Sequence, residues 1–138
     1  MAKRRDFLKL AGVPVFAALG AAAPAARIPS VVFDPTKATL TREPFGDLRI
    51  YTTGATDQVQ SMTAGSLLLK AGMSPHPPHQ HPEEEFMVIT EGTGEIVVDG
   101  KTSKVGPGSM MYSAGNKVHG IVNTGKTPLL FYFYKWKV

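Results

Sequence analysis

From Arg27 onward no stretch of a dozen residues repeats its apolar positions every 3.6 residues. Short runs rich in Val, Ile, Leu, Phe and Tyr alternate instead with turn residues. The runs are Ser30–Phe33, Leu48–Thr52, Ser66–Lys70, Phe86–Thr90, Glu95–Val98, Ser109–Tyr112, Gly120–Asn123 and Leu129–Trp136. Eight predicted strands and no predicted helix describe an all-β sandwich or barrel. Met87, Ile89, Met110 and Tyr112 are read as core, since strand parity is ambiguous where both faces are apolar. In the C-terminal run Phe131 and Phe133 alternate with Tyr132, Tyr134 and Trp136, so one face can line a pocket while most of the run packs. Lys135 and Lys137 are read as solvated ends.

Turn chemistry fits this pattern. Asp99-Gly100 follows an apolar run and suits a two-residue hairpin, because both residues tolerate positive φ. Glu91–Gly94 and Gly106-Pro107-Gly108 give two further reversals. Pro75, Pro77, Pro78 and Pro82 stiffen the segment between the third and fourth runs and exclude a helix there. Residues 26–47 read as an irregular arm holding one strand, suited to covering a sheet edge or pairing with a partner subunit.

The 138 residues suffice for one domain. Without cysteine there is no disulfide, thiolate ligand or thiol nucleophile. The formal charge of +4 is concentrated at the N-terminus, where Lys3, Arg4, Arg5 and Lys9 stand against Asp6. A 14-residue apolar stretch, Leu10–Ala23, follows and ends in Ala23-Pro24-Ala25. A basic head, a short apolar segment and a small-residue exit make a secretory signal, and the stretch is shorter than the ~20 residues of a spanning helix. The arginine pair followed by Phe7, Leu8 and Lys9 resembles a bacterial twin-arginine signal, with Lys3 where Ser or Thr is commoner. The expected division is therefore a signal over 1–25, the arm over 26–47 and a barrel domain over 48–138. Beyond residue 25 there remain 11 basic and 10 acidic side chains, too balanced to form a nucleic-acid-binding stripe.

His79-Gln80-His81 places two imidazoles on one face of an extended chain, with Glu85 four residues on and His119 far away in sequence. Three imidazoles and a carboxylate suit a divalent transition metal. In these residues the chain resembles the cupin superfamily of jelly-roll β-barrels. Its first motif, G-x5-H-x-H-x3,4-E-x6-G, is matched by Gly72, His79, His81, Glu85 and Gly92, with six residues instead of five after Gly72. The second, G-x5-P-x-G-x2-H-x3-N, is matched in spacing from Gly108 to His119 and Asn123. Ala114 stands in place of its proline and Asn116 in place of its second glycine; Asn is the non-glycine residue best suited to left-handed backbone.

The resemblance, which spans residues 65–135, implies a single-domain jelly-roll barrel with His79, His81, Glu85 and His119 as ligands of one metal. Mn or Fe is favoured, since twin-arginine export carries folded proteins already loaded; Zn, Ni and Cu also suit the donors. The expected function is that of a small exported metalloenzyme of dioxygenase, decarboxylase or isomerase type, acting on an oxygen-bearing small molecule. The alternative is a non-catalytic metal-dependent binding module of the cell envelope. His76 is the weak candidate for a catalytic base, against a solvated loop histidine. Glu83 and Glu84 are expected on the rim, with one able to support a ligating His. No G-x-S-x-G elbow or phosphate loop is present. The expected partners are a small molecule and a second copy of the chain. The expected location is the periplasm or the medium, with no nucleic-acid partner and no permanent membrane anchor after cleavage.

Overall fold

Burial with a period of two marks the strands and decides which way each one faces. The computed structural model describes residues 26–138, so the expected signal over 1–25 lies outside the described residues. After a short 3-10 turn at Pro35–Lys37 come nine strands: β1 Thr39–Glu43, β2 Gly46–Gly54, β3 Ser61–Leu69, β4 Glu84–Glu91, β5 Gly94–Val98, β6 Lys101–Val105, β7 Met110–Ser113, β8 His119–Val122 and β9 Leu129–Lys137. They form a six-stranded sheet ordered β1-β2-β3-β9-β4-β7 and a three-stranded sheet ordered β6-β5-β8, every pairing antiparallel. The all-β, jelly-roll expectation is met.

The core lies between the sheets, where Leu67, Leu69, Met87, Ile89, Phe131 and Leu129 of the large sheet meet Ile96 and Ile121 of the small one. In β4 the inward residues are Glu85, Met87 and Ile89, so a carboxylate enters the interior in register with two core side chains. The parity of β7 is the reverse of that expected for Met110 and Tyr112. Met111 and Ser113 point inward, while Met110 is 63% and Tyr112 50% exposed on the outer face. The alternative parity would have turned Ser113, which contacts the histidine cluster, away from it.

Two strands escape the hydrophobic pattern, and a predicted one is not formed. β1 (TLTRE) and β6 (KTSKV) are edge strands with four of five residues exposed, so neither needs an apolar face. Ser30–Phe33 is irregular; Val31 and Val32 are exposed, and Phe33 meets Tyr51 edge-on at 6.5 Å. The chain pairs instead at Arg27 with Ala55, and Asp34 then caps the 3-10 turn by accepting from the Thr36 amide at 2.9 Å. The turn signals behave as expected: Asp99 and Gly100 both have positive φ, and so does Asn116 at +60°.

The segment between β3 and β4 runs beside β8 as a broken fourth strand of the small sheet. Gly72 donates to the Asn123 carbonyl and Asn123 donates to that of Met73, both at 2.9 Å. Further along, the Ser74 hydroxyl donates to the Ile121 carbonyl at 2.7 Å, and His79 and His119 exchange backbone hydrogen bonds of 2.9 and 2.8 Å. Pro75, Pro77 and Pro78 have no N–H to give, which is why the pairing survives only at intervals.

Asn123, fully buried, closes the far end of this seam. Its Nδ2 donates to the carbonyls of Leu69 and Thr127 at 3.0 and 2.9 Å, and its Oδ1 accepts from the Gly125 amide at 3.0 Å. Asn123→Ala removes three hydrogen bonds, one of them to the buried Leu69 carbonyl, and is expected to destabilise the fold by about 3 kcal/mol in urea unfolding. A loss within about 0.5 kcal/mol of zero, the ordinary surface range, would refute this role.

Candidate metal centre

The four residues expected to act together come from three separated stretches, and the fold brings all four to one end of the sandwich. His79 and His81 lie on the proline-rich segment, Glu85 is the second residue of β4, and His119 opens β8. The backbone exchange between His79 and His119 sets two of the rings side by side, with centroids 4.9 Å apart. His81 is fixed by its carbonyl, which accepts from the Asn116 amide at 2.8 Å, so the left-handed turn at Asn116 helps to position it. Candidate ligand atoms of His79, His81 and His119 all lie within 4.8 Å of one another, and the three can hold a metal ion.

Hydrogen bonds assign the imidazole tautomers. His119 Nδ1 lies 2.9 Å from the Lys117 carbonyl and 3.2 Å from Ser113 Oγ; a carbonyl only accepts, so Nδ1 carries the proton. His81 Nδ1 lies 3.1 Å from the Glu83 carbonyl and 3.2 Å from its Oε2, and is protonated for the same reason. In the neutral rings both Nε2 atoms then carry lone pairs. Both face one oxygen, Glu85 Oε2, at 2.9 and 3.1 Å. Three acceptors converging in a buried site need a cation among them, whether a metal ion or added protons.

His79 adds an independent sign. Its Nδ1 is buried without a hydrogen-bond partner, a rare state for a polar atom and one that coordination resolves. Burial first, then the neighbouring His76, His119 and His81, push its pKa down to about 4 against a smaller opposing pull from Glu85. His79 is therefore neutral near pH 7, the form with a lone pair to give. The donor set fits a divalent transition metal.

The centre opens into a cavity of about 210 Å3 walled by Phe45, Leu48, Leu67, Met87, Phe131 and Phe133. His76 is at its edge, its ring 3.9 Å from that of His79 and its Nδ1 donating to the Pro77 carbonyl at 3.0 Å, which leaves Nε2 as the acceptor. Of the two acidic neighbours of Glu85, Glu83 braces His81, while Glu84 lies on the outer face of β4 and accepts from the Tyr112 hydroxyl. Lys135 departs from expectation. It is half-buried in the cavity wall, not a solvated end; Lys137 is exposed. Ser113, Phe45 and Leu48 carried no motif signal, and only strand parity could have drawn them to the site.

A family profile described as a cupin domain, Cupin_2, matches residues 65–134, just over half of the chain. This protein belongs to the cupin family. Several solved cupins share its fold. An RmlC-like cupin from Shewanella frigidimarina superposes with a TM-score of 0.64 at 16% identity, covering 79% of this chain and 93% of that one. KdgF from a Halomonas species gives 0.61 at 17%, covering 80% and 96%. A predicted oxalate decarboxylase from Thermotoga maritima gives 0.61 at 21%, covering 78% and 100%. A search of curated proteins found no match.

In this cupin Ser113 and the Lys117 carbonyl share the task of orienting His119. Ser113→Ala is expected to lower metal affinity by about tenfold, the low end for a residue supporting a ligand, because the carbonyl remains. Competition against a chelator measures it. Unchanged affinity would mean that the carbonyl alone orients the ring.

Proposed function

We propose that this cupin is an exported protein whose His79, His81, Glu85 and His119 hold one divalent transition metal, and that it acts on an oxygen-bearing small molecule in the adjoining cavity. The observation that carries the reading is the convergence of two imidazole lone pairs on Glu85 Oε2 inside a buried site. The orphaned His79 Nδ1 supports it independently. When bound, such an ion supplies Lewis acidity or, in the case of iron, activation of O2. The chain's own part is to hold the donors in fixed tautomers, to keep the cavity apolar, and to offer His76 Nε2 at the edge as a proton acceptor.

The dioxygenase, decarboxylase and isomerase readings share this site. The alternative of a metal-dependent binding module keeps every residue except His76 in the same role. Turnover of any of a set of oxygen-bearing compounds by the metal-loaded chain favours the enzyme, and saturable binding without turnover favours the module. A homodimer belongs to the same proposal. Its support is the outer face of the large sheet, where Tyr134, Phe86 and Tyr112 form one cross-strand row and Tyr132, Val88 and Met110 the next.

Elemental analysis of the protein purified from its native envelope tests the centre directly. One equivalent of metal is expected in the wild type, with Mn or Fe favoured, and none in His79→Ala/His119→Ala. Full metal content in the double variant would overturn the assignment. Export is tested separately: Arg4→Lys/Arg5→Lys is expected to leave the uncleaved precursor in the cytoplasm. Undiminished export would exclude the twin-arginine route.

A further inference from the structure

Lys135 stands in the wall of the cavity beside the histidine cluster. β9 projects Phe131, Phe133 and Lys135 to one face by its two-residue period, and all three line the cavity beside the histidine cluster. Lys135 is also the direct cross-strand partner of Glu85 on β4, so the two side chains rise from adjacent points of the same face. Glu85 nevertheless directs its Oε2 to His81 and His119, and Glu83 directs its own to His81. Among the described residues Lys135 makes no ion pair. Half-buried beside Phe131 and Phe133, the ammonium has lost part of its water; after a backbone hydrogen bond and His81, its attraction helps to hold the Glu83 carboxyl below the usual range, yet no carboxylate closes on it as an ion pair.

The charge of the loaded site sharpens this. With a divalent ion, neutral imidazoles, the carboxylates of Glu83 and Glu85 and the ammonium of Lys135, one positive charge is left uncompensated. Apart from His76 at the edge the rest of the wall is apolar, and about 210 Å3 lies below the usual range of drug-sized pockets, ~300–1,000 Å3. Resting on the metal reading above, we infer that Lys135 is the specificity residue of this cavity and selects small monocarboxylates with an apolar body. The carboxylate lies between the metal centre and the Lys135 ammonium, and the body packs against Leu48, Met87 and Phe133. Lysine suits the task as a compact point charge with three donors on a flexible stem.

The test uses the full chain loaded with Mn(II), and three acids, acetate, butyrate and benzoate, each with its neutral alcohol. Calorimetry reads affinity, and elemental analysis reads metal in the same samples. The wild type is expected to bind at least one acid about tenfold or more tightly than the matching alcohol. Lys135→Met is expected to weaken that acid by about 10- to 100-fold, the range for a charged hydrogen bond, with alcohol binding and manganese content unchanged. Lys135→Arg should recover part of the loss, and Lys135→Gln replaces Lys135→Met if the latter fails to fold. Equal affinity for acids and alcohols in the wild type overturns the inference, and so does undiminished acid binding in the neutral variants. A wild type that takes up neither manganese nor any of iron, zinc, nickel and copper overturns the metal reading beneath it, a result seen before any acid is added.

Discussion

The reciprocal backbone pair between His79 and His119 is the constraint on which the site depends. It is a two-bond β-bridge in a segment that cannot form a ladder, because prolines remove the donors on one side. The seam holds at Gly72 and Met73 against Asn123, through the Ser74 hydroxyl at the Ile121 carbonyl, and at His79 against His119, and both residues of this last contact are ligand candidates. Stiffness from the prolines lowers the entropy lost in fixing the segment, which lets so few hydrogen bonds hold it. His81 and Glu85 follow within six residues of His79, so placing the bridge largely places them as well.

Electrostatics then makes the assembled site unstable unless something positive occupies it. Glu85 is 8% exposed and His119 3%, so neither reaches much solvent. Their mutual arrangement suits a cation shared among several acceptors and suits an empty, neutral pocket poorly. The outer supports of Ser113, Glu83 and Lys117 each bond an Nδ1 and so turn an Nε2 inward. Remote residues thereby decide which face of each ring is available for coordination.

Much of this was legible in the chain because it is encoded locally. Residue spacing and the resemblance to cupins pointed to His79, His81, Glu85 and His119, which the fold gathers at one end of the sandwich; turn residues pointed to the Asp99-Gly100 hairpin and the left-handed Asn116. Strands β1 and β6 were not legible, since an edge strand faces solvent on both sides and carries no alternation. The parity of β7 was ambiguous for the opposite reason: Met110, Met111 and Tyr112 are all apolar enough for a core, and only the pairing with β4 turns Met111 inward. Lys135 was misread because a lysine one turn of the pleat beyond two phenylalanines looks like the end of a strand. The three-dimensional fact that Glu85 lies opposite it has no sequence signal.

The same contrast explains how charge is distributed. Most of the formal +4 lies in the first 25 residues, which leaves the remaining chain close to neutral. A near-neutral surface exerts little long-range pull on an anion, so selectivity has to arise inside the cavity, where partial desolvation strengthens each charge. Glu83 and Glu85 are already engaged by histidine, while Lys135 is not. The imbalance is local, a few side chains deep, and directed into the cavity that adjoins the histidine cluster. A cation at any exposed position would be screened by salt, whereas at Lys135 the apolar wall preserves its attraction for a carboxylate.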